Sequence, residues 1–236
     1  MKLERFATTP LEISALPVAV VGEIGWHWAR RAESELTSGI VFANISVALL
    51  AQEVAPEVAF LTARAHSDEV RHAEICRRVA SRYLGREVPF PKPRVVQKPA
   101  PTPSQARLAA TLHVVQNCCF NESVAMVFLR TCLEQAEQEL VRLALRELMR
   151  EEVDHSRIGW AHVSSAAVTA ADRAAVTRAL PGFIDDMRQL WLSDPGPPVP
   201  QGHGVLDPPA LERVVEEALD ELILPGLEHC GVKVAR

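Results

Sequence analysis

Between Arg107 and Arg130 the chain carries one charged side chain, Glu122. The residues around it, from Leu108 to Leu129, are mostly apolar and read as a helix buried on nearly every side. A lone carboxylate in such a helix costs several kcal/mol even after relaxation, unless a positive group meets it. No Lys or Arg lies near it in sequence. The chain instead offers three more glutamates and two histidines at spacings that can bring a pair of metal ions to that carboxylate.

Composition favours helices throughout. Apolar residues make up 48% of the 236, aromatics only 5%, and Ala, Leu, Val, Glu and Arg abound. The formal net charge of −5 argues against a nucleic-acid binder and against a membrane surface as partner. Five cysteines, two of them adjacent (Cys118, Cys119), do not form a disulfide framework, so a reducing cytoplasm is expected. The short apolar run near the start is broken by Pro17 and flanked by Glu12 and Glu23, which speaks against a signal peptide. The stretch Leu108–Leu129 also holds His113, Gln116, Asn117 and Asn121, which speaks against a membrane span.

Periodicity divides the chain into four long helices and two appended ones. Residues 1 to about 22 read as irregular or partly helical. The first helix covers about Glu23 to Glu53, with Trp28, Glu35, Phe42 and Leu49 recurring every seven residues. Pro56 opens the second, which runs to about Leu84, with Gly85 as its stop. Six prolines between residues 86 and 104 (Pro89, Pro91, Pro93, Pro99, Pro101, Pro103) predict an extended connector long enough to cross the length of a bundle. The third helix covers about Ser104 to Leu133, and the fourth runs from about Glu134 or Glu137 to Ser165. A fifth, about Ala170 to Trp191, is expected to be interrupted at Pro181. A last amphipathic helix, about Pro209 to Leu224, should end at Pro225. The domain reading is a helical bundle with an appended helix over 1–193, and a Pro/Gly-rich linker with a C-terminal helix packed on that bundle over 194–236. The expected fold class is all-α.

The second helix contains Asp68-Glu69-Val70-Arg71-His72 and the fourth Glu151-Glu152-Val153-Asp154-His155. In each, Glu and His three apart project from one helix face a turn apart, so both can bind one metal. One such pair is weak evidence and even two would not surprise, because about 0.7 are expected by chance in a chain of this composition. Position adds the weight. Each pair sits on an apolar stripe, and each follows a glutamate on a similar stripe one helix earlier. Glu35 lies 34 residues before Glu69, and Glu122 lies 30 before Glu152. A plain bundle with exposed acids and incidental histidines accommodates Glu33, Glu74 and Glu151, but it has no solvated face for Glu122. Four carboxylates and two divalent ions would sum to zero charge, and mixed carboxylate and imidazole donors suit iron or manganese better than copper or magnesium.

From about Trp28 to Val163 this pattern resembles the ferritin-like superfamily of di-iron and di-manganese carboxylate proteins. There a Glu from each of two helices and Glu-x-x-His from each of the other two hold two metals inside the bundle. The Asp-Glu-x-Arg-His form is similar to that of bacterial multicomponent monooxygenases and, in part, of the ribonucleotide reductase small subunit. The resemblance implies a ferritin-like four-helix bundle with a long crossover between helices two and three. It implies Glu35, Glu69, His72, Glu122, Glu152 and His155 as metal ligands at the catalytic site, with Glu69 and Glu152 as bridges and Asp68 orienting His155. Where the family often has Asp in the fourth helix this chain has Glu151, which leaves the partner of His72 open. The implied activity is O2-dependent oxidation of a small organic substrate at two Fe ions (Mn as the alternative). O2 would be co-substrate and a reductase or other electron donor would be required, in a monomer or homodimer.

A ferroxidase or peroxide-consuming protein of the catalase or rubrerythrin type is the alternative within enzymes, weakened by the lack of a Cys-x-x-Cys pair. Iron storage and a metal-free interaction module are the alternatives outside. Cys76 stands where the reductase subunit has its radical tyrosine, which argues against that chemistry, and Cys76 and Cys118 are expected to pack as small hydrophobes. His66 is expected at the rim or behind the ligands. His113, His162, His203 and His229 are expected to be structural or at the surface. Arg30, Arg31 and Arg71 are expected in ion pairs, and the four tryptophans as core or helix-packing residues, with a place near the fourth-helix ligands open to Trp160. The substrate cavity is expected to be set by Cys76, Cys118, Met126, Phe42, Leu129 and the appended helices.

Overall fold

A computed structural model describes residues 3–52, 54–93, 102 and 105–234. Among these residues all regular structure is helical. The helices are α1 (Arg5–Thr8), α2 (Val18–Leu50), α3 (Pro56–Leu84), α4 (Ala106–Val114), α5 (Glu122–Gln135), α6 (Glu139–Ser164), α7 (Ala170–Leu192), α8 (Pro208–Glu217) and α9 (Leu224–His229). Two wider π-helical turns interrupt this order. Val115–Asn121 joins α4 to α5, and Ala218–Ile223 joins α8 to α9.

Local chemistry sets most of the ends. Pro56 starts α3 where its missing N–H costs nothing, and Gly85 closes it in the left-handed region at φ 62°. Helix α7 opens on a reciprocal cap, in which Thr169 and Asp172 each accept from the other's backbone N–H. The Asp207 side chain accepts from Ala210 N at the start of α8.

Helix α2 begins at Val18, directly after Pro17, five residues earlier than its periodicity suggests. Residues 86–93 are non-helical, as their prolines predict. Pro99, Pro101, Pro103 and the expected helix start at Ser104 lie outside the described residues. Helix α7 runs unbroken through Pro181. Its buried face, Val176, Leu180, Phe183 and Met187, continues on both sides of the proline, so packing outweighs the one missing backbone hydrogen bond. Pro225 does not end the last helix either. It falls in the first turn of α9, after the π turn, where no donor is needed.

The helical rods close a ring. Helix α2 packs along α3, α3 on α6, α6 on α5 and the π turn before it, and α4 returns to α2. Each of these four rods buries an apolar stripe toward the others. On α2 the stripe includes Ile24, Trp28, Ala32, Phe42, Ile45 and Leu49. Each of the larger side chains buried fully in this way contributes about 1.5–3 kcal/mol.

The outer elements are tied to the ring by polar contacts. Arg78 donates to Leu3 O (3.0 Å) and Arg82 to Phe6 O (2.9 Å), while Arg5 pairs with Glu147. Helix α8 lies on α5, where Arg130 pairs with Glu217. The Trp28 indole donates to His203 O (3.0 Å), and the Tyr83 hydroxyl meets His203 Nδ1 at 2.8 Å. Trp160 packs against Gly226 of α9, and a Cβ on that glycine would lie 2.8 Å from its ring. No helix among the described residues is long and apolar enough to cross a membrane.

Candidate metal centre

The ring brings all six predicted residues to one place. Helix α2 carries Glu35, and α3 carries Glu69 and His72. Glu122 is the first residue of α5, and α6 carries Glu152 and His155. All but Glu35 are buried, and the Glu35 side chain is 15% exposed. The donor atoms form two sets of four, each set lying within 4.8 Å of one another. One is Glu35, Glu69, His72 and Glu152, and the other is Glu69, Glu122, Glu152 and His155. Glu69 and Glu152 belong to both.

Single oxygens make the sharing explicit. His72 Nδ1 lies 3.2 Å from Glu152 Oε1 and 3.6 Å from Glu69 Oε2. His155 Nδ1 lies 3.0 Å from Glu152 Oε2 and 3.1 Å from Glu69 Oε1. Each shared carboxylate therefore turns one oxygen to each imidazole, and the two rings stand 5.8 Å apart. Glu35 reaches the His72 side and Glu122 the His155 side, each at 4.0 Å from the nearer Nδ1.

The outer ring nitrogens face acids as well. His72 Nε2 is 3.1 Å from Glu151 Oε2, so the longer glutamate takes the place of an aspartate as the partner that sequence left open. Glu151 is fixed in turn by Arg71, which also reaches Glu147 at 3.2 Å, and by Arg150 at 3.1 Å. His155 Nε2 faces Asp68 Oδ2 at 3.7 Å, outside hydrogen-bond range, and Arg64 holds Asp68 at 3.3 Å. A partner on the far nitrogen leaves Nδ1 free to act as a donor toward the cluster.

Burial and mutual charge shift the cluster's groups strongly. Burial, together with the charges of Glu69 and Glu152, pushes the Glu35 and Glu122 carboxyls well above the usual range. Burial alone would lower both histidines, but the surrounding carboxylates overcome it and raise them. Burial would raise Glu152, and the hydrogen bond with His155 together with the nearby His72 imidazole pulls it down instead. Burial also opposes ionisation of Glu151, yet His72, Arg71 and Arg150 bring it down to about 2. Two inner atoms, Glu69 Oε2 and His72 Nδ1, are buried without any hydrogen-bond partner although acceptors crowd around them. Carboxylate oxygens and imidazole nitrogens that converge in a buried site could hold a metal ion.

Helix α5 acquires its position through the π turn. Gly159, one turn past His155, lets that turn press on α6. A Cβ there would sit 2.6 Å from Cys119 Sγ and 2.9 Å from Cys119 N. Nothing in residue type announced this segment, which reads in sequence as plain helix.

A cavity of about 270 Å³ opens beside the cluster, with Glu35, Glu69, Glu122 and Glu152 on its floor. It lies between α2, α5, α7 and the segment leading to α8. Of the residues expected to shape it, Leu129 does. Cys76, Cys118, Met126 and Phe42 do not line it. Cys76 and Cys118 are fully buried with thiols that burial pushes up, in keeping with a packing role. Phe42 instead lies against His155, with ring centroids 5.0 Å apart.

His66 bonds Gly39 O at 2.7 Å and His162 meets Thr111 at 3.1 Å. Arg71 and Arg30 are ion-paired as expected, but Arg31 has no acidic partner among the described residues. It donates to Gly204 O at 2.7 Å. Sequence reasoning did not foresee the acid pair that faces Arg71. The spacing of Glu147 and Glu151, one helical turn apart, carried that signal. Comparison of the chain with protein-family models, with curated proteins and with solved structures gives no match.

Proposed function

We propose that the chain is a non-haem di-iron enzyme of the ferritin-like type that uses O2 to oxidise a small organic substrate. The observation that carries this reading is the pair of four-donor sets sharing Glu69 and Glu152. The ring of α2, α3, α4–α5 and α6 supports a ferritin-like bundle. Glu69 and Glu152 would each hold both ions, His72 and Glu35 one, and His155 and Glu122 the other. Manganese is the alternative occupant. When bound, such a metal pair supplies two electrons to O2, and a reductase or co-substrate must restore them.

The protein's own contribution is placement. Glu151 holds the His72 imidazole in the orientation that turns Nδ1 inward, and Asp68 faces the outer nitrogen of His155. Arg71 keeps Glu151 charged and out of the donor set. Phe128 and Leu129 line the cavity over the carboxylates and limit water there. That cavity favours an organic substrate over the ferroxidase, peroxide-consuming and storage readings. We read the five unpaired cysteines as suited to a reducing cytoplasm.

Anaerobic titration with Fe(II) tests the proposal. Uptake should saturate near two per chain, and a pulse of O2 should then oxidise both ions. Uptake of fewer than one iron or manganese per chain at micromolar metal refutes it, and assembly into a large multi-subunit shell would favour storage.

A further inference from the structure

We infer that the cavity beside the cluster takes a small organic carboxylate, with Arg31 as the counter-ion of its anionic group. The inference rests on the metal reading above. Two divalent ions cancel the four glutamates on the cavity floor, and the charge left unbalanced on the wall is then that of Arg31.

Arg30, its neighbour on the rim, is paired with Asp194 at 2.7 Å, so the two cancel. Arg31 has no such partner. Among the described residues no carboxylate oxygen is recorded within 4.0 Å of it. Its Nη2 donates to Gly204 O, and its Nη1 is buried without a hydrogen-bond partner. The guanidinium is held in place by two rings, with Cζ 4.4 Å from the Trp28 centroid and 4.9 Å from that of Phe128. A half-buried guanidinium without a counter-ion, rigidly mounted on a cavity wall, is built to receive an anion. One unbalanced positive charge matches a monoanion, so a carboxylate fits better than a phosphate monoester.

The rest of the cavity describes the body of that ligand. Phe128, Leu129, Trp191 and Leu206 give it an apolar wall. Trp191 lies against Phe128 with centroids 5.6 Å apart, and its buried Nε1 has no acceptor, which leaves a second unsatisfied donor on the same wall. An apolar void of roughly 150 Å³ holds benzene, so about 270 Å³ holds a six-membered ring with a carboxyl group. The ligand's far end would then meet the glutamates, where oxidation takes place in the proposed function.

Benzoate and its neutral isostere benzamide test this by calorimetric titration of the Mn(II)-loaded chain, after its metal content has been measured. Benzoate should bind about tenfold or more tightly than benzamide, the gap expected for a hydrogen bond to a charged group. Arg31→Met should erase that preference while metal content stays at two, and Arg31→Lys should keep most of it. Equal binding of the two compounds, or none of either, overturns the inference. So does an Arg31→Met protein that binds benzoate like the wild type, since the carboxylate would then sit on the metals alone. If Arg31→Met does not fold, the benzoate–benzamide comparison in the wild type and Arg31→Lys decides. A chain that takes up no metal overturns the metal reading and this one together. Two metals with no preference for benzoate overturn this one alone.

Discussion

Replacing Glu122 by Gln separates the energetics of the metal-free and metal-loaded protein, and the two should move in opposite directions. The Glu122 side chain is 8% exposed, and burial with the Glu152 and Glu69 charges pushes its carboxyl well above the usual range. A carboxyl raised in the folded state opposes folding at pH values above its unfolded value of about 4.3 and ceases to do so below it. At pH 7 the amide, equal in shape and without charge, therefore leaves the metal-free protein at least as stable as the wild type. Metal reverses the comparison. Each position, filled at 100 times its dissociation constant, adds about 2.7 kcal/mol to stability, so two add about 5.4. For a chain of this size each kcal/mol raises the melting temperature by about 2–4 °C. Mn(II) should then raise the wild type by roughly 10–20 °C and Glu122→Gln by about half as much, because one four-donor set loses a ligand. Thermal melts in chelator, in Mn(II) and in Mg(II) as control measure all of this. An undiminished Mn(II) shift in the variant refutes the assignment of Glu122. A metal-free variant that melts well below the wild type refutes the argument about its buried charge.

Two other perturbations probe the scaffold. Gly159→Ala pushes a methyl into the Cys119 backbone, which cannot yield. It should cost about 1–3 kcal/mol in denaturant melts and lower metal uptake at the Glu122 side, whereas Gly182→Ala on the open face of α7, with nothing within 4 Å, should be neutral or slightly stabilising. A full cost at Gly182 and none at Gly159 would refute the account of the π turn. Asp172 supplies the pH dependence. Burial raises its carboxyl, but hydrogen bonds from Arg107 and Thr169 outweigh this and hold it below the usual range. Its contribution is therefore complete above pH of about 4 and disappears as pH falls through the lowered folded value. Asp172→Ala should cost about 0.5–2 kcal/mol at pH 7 and progressively less in acid, and a cost independent of pH would refute it.

The six cluster residues were legible because helical geometry ties spacing to direction. Glu69 with His72, and Glu152 with His155, must share a face at that spacing, and Glu122 had no solvated face to occupy. Helix α3 could be bounded to the residue because Pro56 and Gly85 have unambiguous backbone preferences. The π turn before Glu122 was not legible, since a wider turn demands no particular residue type and follows from packing on Gly159. Pro181 and Pro225 misled because their cost is local. Tertiary burial of α7 and the wide turn before α9 absorb it. The cavity was out of reach for another reason. Arg31, Phe128 and Trp191 stand on three helices far apart in sequence, and no periodicity links them.

The four-residue helix α1 has a reach beyond its size. Arg5 leans on Glu147, Glu147 on Arg71, Arg71 on Glu151, and Glu151 on the imidazole of His72. Losing the residues ahead of α2 would remove the outermost prop of that chain of contacts. The slackening would reach the imidazole of His72, so a short outer helix helps to set the aim of a donor in the innermost cluster.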